Sequence, residues 1–396
     1  MQNTIPSNNK LLKTANDSLV MNLIRQRGPI SRADIAKLTN LTPPTVTNII
    51  NKLQELNLIV EYAMGESSGG RRPLLLKTNP QALNVIVVHI SSNKLSSYLT
   101  DGDLNILRQE SRRIKNLSKE EILDLMISSI SAYQKEATAG IPGIGVVVHG
   151  PVKAREGISI FAPNIGWKNV PIKFIVEDKL HIPTFVENDV RAMTLGEFYY
   201  GCARDINNMV FLKVGYGIGS GIILDGKLYR GLSDSAGEIG HTTIDVGGPQ
   251  CSCGNYGCLE AMASENALVR TMVKSIKEGR HSMVVELVQG DLESVTPETI
   301  YEAASHGDIL ACRILRQVAR YLGIAIANII NTFNPELVVL GGGITHARPF
   351  IEETILETVK DRALESCCGV CKISFSTMGE EATLKGAADM VLTEVL

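Results

Sequence analysis

A chain of 396 residues, 44% hydrophobic and 20% charged, is too long for one ordinary core and predicts two or three domains at roughly 150 residues each. No apolar run approaches the ~20 residues of a membrane helix and no signal-like leader opens the chain, so its eight cysteines point to a reducing, cytoplasmic setting and not to a disulfide scaffold. The net charge of -3 hides ten Lys/Arg against five acids in the first 81 residues, +5 against -8 for the remainder, which suggests a basic module that meets a polyanion and an acidic body that does not.

Residues 1 to 15 are polar and aperiodic and read as a mobile arm. A first helix follows, with Leu19, Leu23 and Ile24 on one face, and stops at Gly28-Pro29. Ser31 caps a second helix, with Asp34 at its third position and Ile35, Ala36 and Leu38 facing in. Thr42 caps a third, with Pro43 at the permitted first position and Val46, Ile49, Ile50 and Leu53 recurring at helical spacing. This is helix-turn-helix spacing, and the outward face of the third helix offers Thr45, Thr47, Asn48 and Asn51 to a major groove. Leu58-Ile59-Val60 and Leu74-Leu75-Leu76 then flank a Gly/Ser-rich tip at 65–70, a wing on which Arg71 and Arg72 face phosphate or a minor groove. Arg32, at the start of the second helix, joins these as a candidate DNA contact.

Asn79-Pro80 closes the module. The body opens with the strand Val85 to Ile90, a strand-turn-strand to Ile106, a helix near Glu120 to Ala132 and the buried strand Ile144 to Val148. Its second half repeats the plan with Val210 to Val214, a hairpin through Asp225-Gly226, helices from Glu260 and the strand Leu337 to Leu340. Two α/β halves of this kind suggest a ligand cleft.

Between them lies the densest chemistry in the chain, 237–260, GEIGHTTIDVGGPQCSCGNYGCLE. His241, Cys251, Cys253 and Cys258 are one imidazole and three thiols, the donor set of a closed tetrahedral Zn²⁺ site, and Gly254 and Gly257 allow the turns that would gather three sulfurs. The plainer alternative is three reduced thiols in a glycine-rich turn. A zinc hydrolase is excluded because four protein ligands leave no position for water. Cys367, Cys368 and Cys371 lack a fourth donor and read as ordinary thiols, and Cys202 and Cys312 as packing residues.

The chain resembles the ROK family (repressors, open reading frames and sugar kinases), in the branch where a winged helix-turn-helix precedes a sugar-binding body, that of repressors answering to xylose or N-acetylglucosamine. The resemblance runs from about Asn16 to the C-terminus and is most specific at 237–241, 251–260, Glu187-Asn188-Asp189, 215–221 (GYGIGSG) and 341–343. It implies an α/β fold in which an N-terminal winged helix-turn-helix (1–80) is followed by a two-lobed actin-like, hexokinase-like ATPase fold. The first lobe would span 81–200, and the second, with the zinc loop, 201–396. It further implies that Asn164, Asn188, Asp189, Glu238, His241 and Glu260 hold sugar hydroxyls. Carboxylates and amides suit a ring of donor-acceptor hydroxyls, and a metal on one nitrogen of His241 would aim the other. Trp167, beside the Asn164 turn, is either part of this site or core.

Asp189 falls on the family's general-base position. The first body strand of the family's kinases should end in an Asp-x-Gly-Gly-Thr type turn for phosphate and Mg²⁺, whereas this chain has His89-Ile90-Ser91-Ser92-Asn93. The expectation is therefore a sugar sensor with no catalytic residue, a homodimer or higher homo-oligomer on operator DNA. The alternative is a sugar kinase carrying a DNA-binding domain. The glycine turns at 215–221 and 341–343 decide nothing, since tight hairpins need glycine anyway.

Overall fold

The computed structural model describes residues 11, 12, 14–65 and 72–396. These form two compact units, one made of the described residues up to Tyr200 together with Glu380–Leu396, the other of Gly201–Gly379. The sequence reading assigns all of 201–396 to the second lobe. The last helix, Glu380–Val395, instead packs in the first unit, because its apolar residues Leu384, Ala387, Ala388, Val391 and Leu392 are buried against the helix Asp189–Tyr200 and the strands Val85–Ile90 and Ile144–Val148.

The first unit begins with three helices and a wing. Helix α1 (Ala15–Arg27) is capped by the Thr14 side chain, α2 (Arg32–Thr39) by Ser31 and α3 (Pro43–Glu55) by Thr42, each accepting the backbone N–H three residues on. Strand β1 (Ile30–Ser31) pairs with β3 (Leu74–Thr78), which pairs with β2 (Ile59–Met64), so the wing returns to the entry of α2. Val20, Met21, Ile24, Ile35, Val46, Ile50 and Leu53 fill the small core.

Two expectations change here, and a third falls outside the described residues. Leu38 is 48% exposed and Leu19 47%, because eight-residue α2 turns Ile35 alone fully inward and α1 buries Val20 and Met21. The end of the expected arm is anchored: Leu12 is buried and the Leu11 N–H donates to the Val395 carbonyl at 3.0 Å. Residues 66–71, with Arg71 and most of the expected tip, lie outside the described residues, as do 1–10 and 13.

Both units then use one sheet plan. In the first, the hairpin Val85–Ile90 and Lys94–Thr100 continues antiparallel to Ile106–Arg113, while Ile144–Val148 and Thr184–Asn188 add in parallel on the other edge of Val85–Ile90. In the second, Met209–Val214, Ile218–Leu224 and Lys227–Leu228 form the antiparallel side, and Leu337–Gly341 and Lys372–Phe375 the parallel side. Every residue of Ile144–Val148 and of Leu337–Gly341 is buried, as strands covered on both faces require. The first sheet ends at Asn188, and the helix Asp189–Tyr200, here the motif helix, starts at the next residue.

Candidate functional site

The loop 237–260 folds back on itself through isolated bridges that pair Thr243 with Cys258 and Gln250 with Tyr256. Gly257 has φ +63°, and a Cβ there would overlap the Asp245 carbonyl oxygen, so only glycine lets the two arms close. The fold brings all four predicted ligands together, their donor atoms lying within 4.8 Å of one another. Cys253 Sγ is 3.8 Å from Cys258 Sγ, and Cys251 Sγ is 3.6 Å from His241 Nδ1. A tetrahedron with metal–sulfur bonds of ~2.3 Å has edges of about 3.8 Å, a length these two separations match. Burial and the two neighbouring sulfurs push the Cys258 thiol up to about 12, a penalty that a bound dication reverses by stabilising thiolate. The residues therefore fit Zn²⁺. The ring nitrogen of His241 on the sulfur side is Nδ1.

Cys258 is also the residue before the short helix Leu259–Ala263, which carries Glu260. The Glu260 carboxylate accepts the Ile218 N–H at 2.9 Å, fixing the helix to the glycine-rich turn at 215–221. His241 sits one turn earlier, its carbonyl 3.4 Å from Cys258 Sγ, and Glu238 is exposed beside it. His241 and Glu260 are thus held on either side of Cys258.

In the first unit Asn188 and Asp189 stand at the strand-to-helix switch. Asn188 Oδ1 accepts the N–H groups of Val190 and Arg191 at 2.9 and 3.2 Å, and its Nδ2 donates to the Gly150 carbonyl at 2.9 Å. Its amide therefore caps the motif helix as well as offering a donor, a structural duty the sequence reading does not foresee. Asp189 is buried at 3% exposure, and Glu187 next to it is ion-paired with Arg191 at 3.2 Å. Asn164 is exposed on the short 3-10 turn Pro163–Ile165. Trp167 is fully buried in the first unit's core with no partner for its indole N–H among the described residues, which resolves its role as packing.

On α3, Asn48 and Asn51 are exposed and their side chains make no hydrogen bond to other described residues. Thr47 donates to the Pro43 carbonyl at 2.9 Å, and Thr45 shares a 2.8 Å hydrogen bond with Thr42. The two asparagines are therefore the groups most available for base edges. Arg32 is half-buried at the start of α2 and Arg72 exposed at the base of the wing.

Two features escape sequence reasoning. Glu265 follows the Ser264 cap and reads as a helix-start acid, yet it is 5% exposed and accepts a 3.0 Å hydrogen bond from the Tyr301 hydroxyl. Its N–H donates to the Gly215 carbonyl, and a Cβ at Gly343 would overlap its carboxylate, so Glu265 fills the space between the two glycine turns. Burial pushes this carboxyl up to about 7. The other is the buried cluster of Arg25, Tyr200 and Asp389, far apart in sequence.

At the expected phosphate turn, Ser91 N–H donates to the Lys94 carbonyl at 2.9 Å and the Ser91 hydroxyl accepts the Lys94 N–H at 3.2 Å. The serine thus closes the turn on itself.

The ROK family model matches residues 85–394, and a winged helix-turn-helix DNA-binding model matches 13–60. The xylose repressor of Caldicellulosiruptor bescii is 34% identical over 393 residues, covering 98% of each chain. A crystal structure of a ROK family transcriptional regulator, homolog of the E. coli MLC protein, superimposes with a TM-score of 0.83 at 32% identity over 96% of each chain. A ROK family glucokinase from Streptomyces griseus, in complex with glucose and AMPPNP, superimposes with a TM-score of 0.68 at 27% identity, covering 78% of this chain and 98% of its own. The fold is a winged helix-turn-helix ahead of an actin-like ATPase-fold body, and the chain belongs to the ROK family.

Proposed function

We propose that the chain is a sugar-responsive transcriptional repressor. The observation that carries this reading is the joining, in one chain matched end to end by a xylose repressor, of an exposed Asn48/Asn51 face to a ROK body. Asn48 and Asn51 read base edges, while Arg32, Arg71 and Arg72 supply phosphate contacts. A neutral monosaccharide, xylose first among candidates, is held through Asn164, Asn188, Asp189, Glu238, His241 and Glu260. His241, Cys251, Cys253 and Cys258 hold a structural Zn²⁺, which supplies fixed geometry and no chemistry of its own. The active species is a cytoplasmic homodimer on a two-fold operator, since helix-turn-helix heads engage successive grooves about 34 Å apart. Among the described residues no helix is long and apolar enough to cross a membrane.

Asp189 keeps a sugar-kinase reading in view, because a buried carboxylate at a helix start would suit a hydroxyl proton acceptor. Two features weigh against it: the self-closed Ser91 turn and the Glu265 carboxyl lodged where a polyanion would have to approach. Gel-shift titration on the DNA upstream of the gene, with and without each sugar that raises the melting temperature, tests the repressor reading. ATP turnover with any of those sugars, abolished by Asp189→Asn, would replace it with the kinase.

A further inference from the structure

Helix α1 of the reading head is tied to the C-terminal helix by polar bonds that ordinary core packing does not need. The side chains of Arg25, on α1, and Asp389 are each 2% exposed, and the guanidinium donates to Asp389 Oδ1. It donates as well to the Tyr200 hydroxyl at 3.1 Å, Asn22 Oδ1 at 2.9 Å and Thr393 Oγ1 at 2.9 Å. Tyr200 in turn donates to Asp389 Oδ1 at 2.6 Å. Burial first, and then the Asp389 charge, push the Tyr200 hydroxyl well up, so it stays a donor. Nearby, the Ser18 hydroxyl donates to the Leu396 carbonyl at 2.6 Å.

Tyr200 is the last residue of the motif helix, whose first residue is Asp189. That helix and the C-terminal helix touch backbone to backbone: a Cβ at Gly196 would overlap the Ala382 carbonyl oxygen, and one at Gly386 the Ala192 carbonyl oxygen. No compressible layer of side chains separates them, so a shift of one must carry the other. A buried ion pair adds little net stability over an apolar pair of the same volume, but it tolerates few geometries.

We propose that Arg25, Tyr200 and Asp389 are positioning residues that couple Asn188–Asp189 to the DNA-reading head: a displacement of the motif helix on sugar binding passes through Gly196/Gly386 and the three buried side chains to α1. This rests on the reading of Asn188 and Asp189 as sugar contacts. The two-state element required is the rigid pair of helices, and a ~30-fold change in operator affinity needs about 2 kcal/mol of coupling, by RT ln 30.

The test uses the full-length protein, the DNA upstream of its gene and D-xylose, D-glucose and N-acetylglucosamine as probes. Fluorescence anisotropy gives operator affinity with and without saturating sugar. Hydrogen exchange of the wild type follows the amides of 15–27, 189–200 and 380–395. The expected result is that sugar changes exchange in all three segments together. In Tyr200→Phe, and in the apolar pair Arg25→Met/Asp389→Leu, the sugar-induced change in operator affinity should fall from tenfold or more to under threefold, with sugar affinity kept within threefold. A wild type whose operator affinity none of the sugars alters removes the sugar reading and this coupling with it. A responsive wild type whose 15–27 segment shows no change in exchange, or whose folded variants respond as it does, overturns the coupling alone.

Discussion

The Tyr301 hydroxyl donates to Glu265 at 3.0 Å, on a carboxyl that burial has raised from 4.5 to about 7. The native state therefore binds more protons than the unfolded chain between those values. The stabilising contribution of the protonated form is complete below about 4.5 and lost as pH rises through about 7, roughly 3 kcal/mol in all. Glu265→Gln should level this dependence. Melting of both proteins from pH 5 to 8 is the check: the variant's advantage should grow with pH and flatten above 7, and parallel curves would contradict the burial argument.

One zinc ion per chain is expected by elemental analysis. Cys258→Ser and Cys253→Ser should each lose it, and chelation should lower the melting temperature. Because His241 and Glu260 are held on either side of Cys258, loss of metal should weaken sugar binding tenfold or more. Sugar affinity that survives complete chelation would separate the loop from the ligand.

Asn48→Ala and Asn51→Ala should each cost about 1–3 kcal/mol of operator affinity and relax the base preference at one position. Arg72→Ala should weaken all sequences alike and lower the salt slope by about 1. Binding-site selection at two salt concentrations distinguishes the two classes.

Gly386→Ala should destabilise the first unit by about 1–3 kcal/mol, since the added methyl meets a backbone oxygen and not a side chain that can turn aside. Urea denaturation followed by the fluorescence of Trp167, buried in the same unit, reads this directly.

Much of this fold was legible in the sequence where burial is two-sided or a cap is local. Val85–Ile90 and Ile144–Val148 were expected at their observed limits because continuous apolar runs need both faces covered. Ser31 and Thr42 mark helix starts through bonds spanning three residues. The gathering of His241, Cys251, Cys253 and Cys258 was legible for the same reason, all four lying within one loop. What was hidden depends on distance along the chain. Arg25 and Asp389 are 364 residues apart, and neither carries a local sign of its partner. Glu265 looks like any acid in a first helical turn until Gly343, far downstream, is folded against it. Leu38 follows helical spacing yet faces out, because a short helix in a small core has room to bury little more than Ile35.

The return of Glu380–Leu396 to the first unit has a consequence for synthesis. Synthesis runs from α1 toward the C-terminal helix, so the Asp389 carboxylate reaches Arg25 only after all of Gly201–Gly379 has been made. A nascent chain, or one stopped by a premature codon after Gly379, holds the second unit and all of α3, but its α1 lacks the contacts to Asp389, Thr393 and Leu396. Such frameshifts and late nonsense alleles should behave as loss-of-repression alleles, while leaving Gly201–Gly379 and its His241–cysteine cluster intact.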